Sequence, residues 1–184
     1  AWVAARRLGT PRWVPGGGAH PRAVIGHLLA ALELGQQLPT PPDAVVLPLG
    51  TGSTAAGLVL GLACLGWPTR VVGVRVAPWP IANAWRSAHL ARAGARLLAH
   101  CGLSVPRPTS FRPLVVDGLG RGYGFPTPRG EAARARAAAH GLALDATYGA
   151  KAFAALSALP GRGFHRIVFW HTFAVPPLPS ELAR

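Results

Sequence analysis

Residues 44–69 carry no charged side chain, and this run limits the chain to few folds. It is long enough to cross a bilayer as a helix. Pro48 and the cluster Gly50, Thr51, Gly52, Ser53, Thr54 interrupt it, however, and lipid cannot satisfy the backbone groups that such a break frees. No membrane partner is expected. The two pieces read as buried elements of a protein surrounded by water: a strand over residues 43–49 (DAVVLPL) and a helix over residues 55–65.

The rest of the chain alternates in the same way. A helix is predicted over residues 22–38, with Val24, Leu28, Ala31, Leu32 and Gly35 on one face. Residues 70–76 (RVVGVRV) have the β-branched enrichment of a strand. Residues 81–101 predict a longer helix and 114–116 a brief strand. Residues 131–140 predict an Ala-rich helix closed by Gly141. A helix over 148–159 and a strand over 166–170 (RIVFW) follow, and Trp13 and Val14 are read as the end of one further strand. Short strands, apolar on both faces and separated by helices, imply an α/β fold: a three-layer parallel sheet flanked by helices. At 184 residues, one domain over 1–184 is expected.

A net charge of +13 ordinarily suggests nucleic acid or an anionic surface. Here 18 arginines and a single lysine are spread along the chain, with no aromatic-interleaved basic motif, so no nucleic-acid partner is expected. Arg86, His89, Arg92, Arg96 and His100 recur every three or four residues, and this basic stripe is read as a solvated helix face. Cys64 and Cys101 form no C-x-x-C pair and are read as buried free thiols, which suits a reducing cytoplasm. His20, His89, His100 and His165 lack metal-ligand spacing, and no metal site is expected.

The interruption of the apolar run has a chemistry of its own. A strand, a loop of Gly, Ser and Thr, then a helix is a phosphate-binding geometry: glycines admit an anion close to the backbone, and the first helical N–H groups point at it. The Thr51, Ser53 and Thr54 hydroxyls are available as further donors. No Lys follows the last Gly, so this is not a Walker loop, and it is not G-x-G-x-x-G.

The stretch GTGSTAAGL (residues 50–58) resembles the G-S-G-G-T-x-A-G-L of the D-cysteine desulfhydrase and 1-aminocyclopropane-1-carboxylate deaminase family. Thr51 stands at that family's Ser and Ser53 at its second central Gly. VPGGGAHPRAVIGHLLAALELGQQL resembles I-P-x-G-G-S-x-x-x-G-x-x-G-Y-x-x-A-x-E-L, with Gly26 in place and His27 at the Tyr. GYGFPTPRG resembles Y-G-x-P-T-x-x-G, and LDATYGAKAFAAL resembles L-D-x-x-Y-x-G-K-x-x-x-x-L. IVFWHTFAVPPL resembles the strand that ends in H-T-G-G. These motifs run in family order along nearly the whole chain.

The resemblance implies part of the large domain of a tryptophan synthase beta-like enzyme with pyridoxal 5'-phosphate as cofactor. It implies a cofactor phosphate at Gly50, Thr51, Gly52, Ser53 and Thr54, and Thr172 near the pyridine nitrogen. Tyr123 and Tyr148, the two tyrosines of the chain, fall at active-site tyrosine positions. The implied activity is a lyase or deaminase acting on a small amino acid. Gly149 departs from the family's Glu or Thr, and Phe173-Ala174 from its two glycines. Lys151, the single lysine, matches a family position that does not form the Schiff base. The Gly-Asn-Lys segment and the smaller domain have no match here. With no Met in the sequence, the chain is read as an incomplete C-terminal portion, inactive alone and completed by an N-terminal half or a homo-oligomer partner. The alternative is a non-catalytic remnant that binds a phosphorylated ligand or a partner.

Overall fold

The strand β1 (Ala44–Leu49) is buried along its whole length, as an uncharged run flanked by helices requires. In the computed structural model, which describes residues 14–172, it lies inside a four-stranded sheet of order β3-β2-β1-β4. The partners are β2 (Arg70–Arg75), β3 (Leu114–Asp117) and β4 (Ile167–Phe169), and every pairing is parallel. The register sets Leu49 beside Arg75, Val46 beside Phe169 and Arg75 beside Asp117. This last pair closes as a salt bridge of 3.0 Å.

Pro48 has no N–H to give to the ladder, yet it sits in an inner strand. The geometry explains why it is tolerated. Val46 accepts a hydrogen bond from Trp170 N, so Val46 and Pro48 both turn their polar groups toward β4. β4 ends opposite Val46, and among the described residues no strand faces Pro48 on that side.

Alternate residues of β1 fill two cores. Val45, Leu47 and Leu49 pack with Ala55, Leu58, Val59 and Leu62 of α2 (Ser53–Cys64) and with Ala31 and Leu34 of α1 (Pro21–Gln37). Ala44 and Val46, with Val72 and Val74 of β2, meet Ala152 and Leu159 on the opposite face. The second face is covered by α4 (Pro128–Ala138) and the short α5 (Gly149–Ala154). On the first face α1, α2 and α3 (Ala84–His100) share a third cluster around Val24, Leu28, Leu60 and Leu90. Three layers result, as expected. Close approach of α1 and α2 depends on two glycines: a Cβ on Gly57 would lie 2.5 Å from the Val24 carbonyl oxygen, and one on Gly61 2.7 Å from that of Leu28.

Helix starts lie where side chains cap them rather than where apolar periodicity begins. His20 caps α1, Asn83 caps α3 and Thr127 caps α4, so α3 begins at Ala84 instead of 81 and α4 at Pro128 instead of 131. The single helix read over 148–159 is instead α5 followed by a 3₁₀ turn, Ala155–Ala158. Pro160 has no N–H to give to Leu156 O, which accepts from Leu159 N at 3.2 Å in a 3₁₀ bond instead. Val14 is exposed and in no strand, while Trp13 lies outside the described residues. Both cysteines are free, but Cys101 is exposed and Cys64 only half-buried, contrary to the expectation of two buried thiols. No helix among the described residues is long and apolar enough to cross a membrane.

Candidate functional site

The chain runs from β1 through β2 to β3 in one direction, and β4 joins on the other side of β1. The loops that follow β1 and β4 therefore separate above the carboxyl ends of the strands, where open α/β sheets bind ligands. A cleft of about 840 Å³ opens there. It is lined by Gly50, Thr51, Gly52, Ser53, Thr54, Tyr123, Tyr148 and Thr172, so every candidate site residue faces one space.

The floor is the loop after β1. Gly52 caps α2 in a left-handed conformation, φ 96°, which a side chain would strain. The first turn of α2 leaves its leading N–H groups without intrahelical acceptors; the first bond closed across the cap runs from Ala56 N to Gly52 O. A Cβ on Gly50 would meet nothing within 4 Å, so the backbone there is open to a ligand. The loop hydroxyls have other work. Thr51 Oγ1 donates to Gly17 O at 3.1 Å, and Ser53 Oγ donates to Gly18 O at 3.1 Å. A hydroxyl has one proton to donate, so these two brace the loop against the Gly16–Gly18 turn and do not serve as the extra donors expected of them. Gly17 is required for this contact, since a Cβ on it would lie 2.7 Å from the Thr51 methyl carbon. Thr54 Oγ1 pairs with His27 Nε2 at 3.1 Å. Burial holds the His27 imidazole below its ordinary pKa, so it is a neutral partner at physiological pH.

Across the cleft, the phenol oxygens of Tyr123 and Tyr148 share a hydrogen bond, with the rings edge to face. Tyr148 is placed by Asp145. That carboxylate accepts from the N–H groups of Thr147, Tyr148 and Gly149 at 2.9, 2.7 and 2.8 Å. Desolvation first, then the hydrogen bond and charge of Tyr123, push the Tyr148 phenol up to about 12. Tyr148 therefore holds its proton at neutral pH. Gly149 also fits this setting, since a Cβ there would lie 3.1 Å from Asp145 Oδ2.

Tyr123 is placed by Lys151, a residue the sequence reading did not include in the site. Lys151 is 2% exposed, and its Nζ donates to Leu119 O at 3.0 Å and Gly122 O at 3.1 Å. It ties the segment before Tyr123 to the helix that follows Tyr148. Burial holds its pKa below the ordinary lysine range.

Arg86 lies on the expected stripe and also lines the cleft. His89, Arg92, Arg96 and His100 are exposed along α3, as a solvated stripe requires. Arg86, in the first turn, is exposed with them and also reaches the loop, donating from Nε to Thr51 O at 3.3 Å. Arg92 lies over the Phe111 ring at 5.0 Å. Phe173 and Ala174 lie outside the described residues.

A family model described as "Pyridoxal-phosphate dependent enzyme" matches residues 4–172, and the chain belongs to that family. Pyridoxal phosphate is the cofactor of the family. Nocardicin C-9' epimerase of Nocardia uniformis subsp. tsuyamanensis is 37% identical over 180 residues, which cover 92% of this chain and 54% of the epimerase. D-cysteine desulfhydrase of Salmonella paratyphi C is 31% identical over 175 residues, covering 91% of this chain and 52% of the desulfhydrase. A crystal structure of an ACC deaminase homologue superposes with a TM-score of 0.78 at 30% identity, covering 94% of this chain and 52% of that one. The chain spans about half the length of these relatives.

The cleft suits that cofactor. Its volume is ample for a substituted pyridine. Helix N–H groups and a guanidinium line it, and no carboxylate does among the described residues, which is a donor set for a phosphate dianion.

Proposed function

We propose that the chain forms the cofactor-holding part of a pyridoxal-phosphate-dependent lyase or deaminase acting on a small amino acid, of the D-cysteine desulfhydrase or 1-aminocyclopropane-1-carboxylate deaminase type. One observation carries this reading: in a chain of this family, the loop of residues 50–54 and the Tyr123–Tyr148 pair open onto one cleft. Backbone N–H groups of the loop and of the first turn of α2 would hold the phosphate. Pyridoxal phosphate, when bound, supplies an electron sink for the bond broken at the substrate's α-carbon. Tyr148 keeps its proton at neutral pH and acts as a hydrogen-bond donor toward the substrate, with Tyr123 fixing its direction. Thr172, just past β4, offers the ring nitrogen a neutral hydroxyl, which leaves that nitrogen less readily protonated.

The amine that would join the cofactor is not Lys151, which is buried and held by bonds to two carbonyls inside the protein. It comes, on this reading, from polypeptide outside the 1–184 domain: an N-terminal segment on the same chain, or a partner subunit. The setting is the cytoplasm, where free Cys64 and Cys101 persist. The test is to join or mix the chain with the Gly-Asn-Lys half of the desulfhydrase relative and assay D-cysteine for sulfide and 1-aminocyclopropane-1-carboxylate for ammonia. Release of either is expected, and it should fall when Tyr148→Phe is introduced.

The epimerase relative favours a second reading, in which the same site exchanges the α-proton without eliminating anything. Deuterium incorporation with neither sulfide nor ammonia would identify it. A well-folded complex inert in all three assays would leave the chain as a non-catalytic, phosphate-ligand-binding relative.

A further inference from the structure

We infer that Arg86 is the cationic ligand of the phosphate in this cleft, and that it makes the site selective for a phosphomonoester over the same ring without phosphate. The inference rests on the proposed seating of the phosphate at residues 50–54. It starts from a shortage. The loop contains no basic residue, and the Thr51 and Ser53 hydroxyls donate to Gly17 and Gly18 rather than into the cleft. Apart from Thr54, which pairs with His27, the loop offers a dianion only backbone N–H groups.

Arg86 supplies the missing charge from another element. Asn83 caps α3 by accepting from Arg86 N at 2.8 Å, which fixes the first turn of the helix beside the loop. Gly52 lets that turn come close: a Cβ on it would lie 2.6 Å from Ser87 Oγ and 3.3 Å from Ser87 Cα. Arg86 Nε then donates to Thr51 O at 3.3 Å, and the side chain lines the cleft. A guanidinium has five N–H donors, so the bond to Thr51 leaves its terminal nitrogens for a ligand. Among the described residues the ion pairs are Arg75–Asp117 and Arg134–Glu131, and no carboxylate competes for Arg86. A cation anchored by one N–H to the loop that cradles an anion is a clamp in waiting.

The probes are pyridoxine 5'-phosphate, which has the ring and phosphate but no aldehyde to react with amines, and pyridoxine. Binding is followed by tryptophan fluorescence of the full chain. The unaltered chain should prefer the phosphorylated probe, and Arg86→Gln should weaken that probe about tenfold while leaving pyridoxine unchanged. Arg86→Lys, which keeps the charge, should recover part of the loss. The phosphate loses its second proton near pH 6, so affinity should climb from about pH 5 to about pH 7 in the unaltered chain and much less in Arg86→Gln. A merely structural Arg86 would not produce that difference in pH profile. Gly50→Asp, at a position open enough to keep the fold, tests the loop itself by placing a carboxylate where the phosphate sits. If Gly50→Asp abolishes preference for the phosphorylated probe and Arg86→Gln does not weaken it, the role of Arg86 is overturned and the loop assignment stands. If neither variant changes binding, or the unaltered chain shows no preference, the loop assignment falls and the inference falls with it.

Discussion

The Tyr123 and Tyr148 hydroxyls are hydrogen-bonded to each other, with ring centroids 5.9 Å apart and planes at 75°. The chain has two tyrosines in all, so their ionisation can be followed by absorbance without interference from a third. Tyr148 should titrate at about 12. Tyr123→Phe should move it part of the way back toward the ordinary phenol value, because the hydrogen bond and the charge are lost while desolvation, the largest cause, remains. The sign for stability follows: the unfolded phenol loses its proton near pH 10 and the folded one later, so stability falls as pH rises from about 10 to about 12. An unchanged Tyr148 titration in Tyr123→Phe would refute the coupling.

Lys151 should resist modification in the folded chain. Pyridoxal phosphate followed by borohydride, with peptide mapping, should leave it substoichiometrically labelled, and unfolding in urea should expose it. Stoichiometric labelling of folded protein, with turnover, would make this chain an enzyme on its own. Lys151→Met should cost about 1–3 kcal/mol, because it strands the Leu119 and Gly122 carbonyls. It should also lower the Tyr148 pKa by loosening Tyr123.

Two glycines of helices on the same face should respond oppositely to one added methyl group. Gly57→Ala drives a Cβ to within 2.5 Å of the Val24 carbonyl and should destabilise the fold by about 1–3 kcal/mol. Gly26→Ala meets nothing within 4 Å in the middle of α1 and should stabilise by up to about 1 kcal/mol. Urea unfolding of the two variants checks both.

Acid should loosen the junction of β1 and β4. Asp43 accepts from the N–H groups of His165 and Arg166, each at 2.8 Å, and these bonds hold its carboxyl below the usual range. A depressed carboxylate stabilises above its unfolded pKa, near 4, and the contribution is lost as pH falls through the folded value. Asp43→Asn should lower stability at neutral pH and flatten the decline in acid. Urea midpoints taken from about pH 2 to about pH 7 would show whether the two curves converge.

The uncharged run made β1, α2 and the loop between them legible, because burial on both faces leaves a compositional trace. The family motifs brought Tyr123 and Tyr148 together although 25 positions separate them. The contact of Arg86 with the loop was illegible for a physical reason: helical spacing places it in a stripe with Arg92 and Arg96, and its nearness to Thr51 depends on the packing of Gly52 against Ser87, 35 positions away in sequence. The hydroxyls of Thr51 and Ser53 misled in the same way, since sequence gives a donor but not its direction. The helix caps His20, Asn83 and Thr127 carried local signals, with Pro21 and Pro128 directly following two of them. The motif that carries Tyr148 also marked Lys151, but not its burial, because a buried lysine satisfied by carbonyls is rare enough that charge argues for the surface.

The brace between Thr51 and Gly17 has a kinetic consequence. Because the chain itself holds the loop in shape, the entropic cost of ordering it is met at folding rather than at ligand capture. For a phosphate seated there as proposed, loaded and unloaded forms would share nearly one backbone, and capture of the ligand would not wait on ordering of the loop.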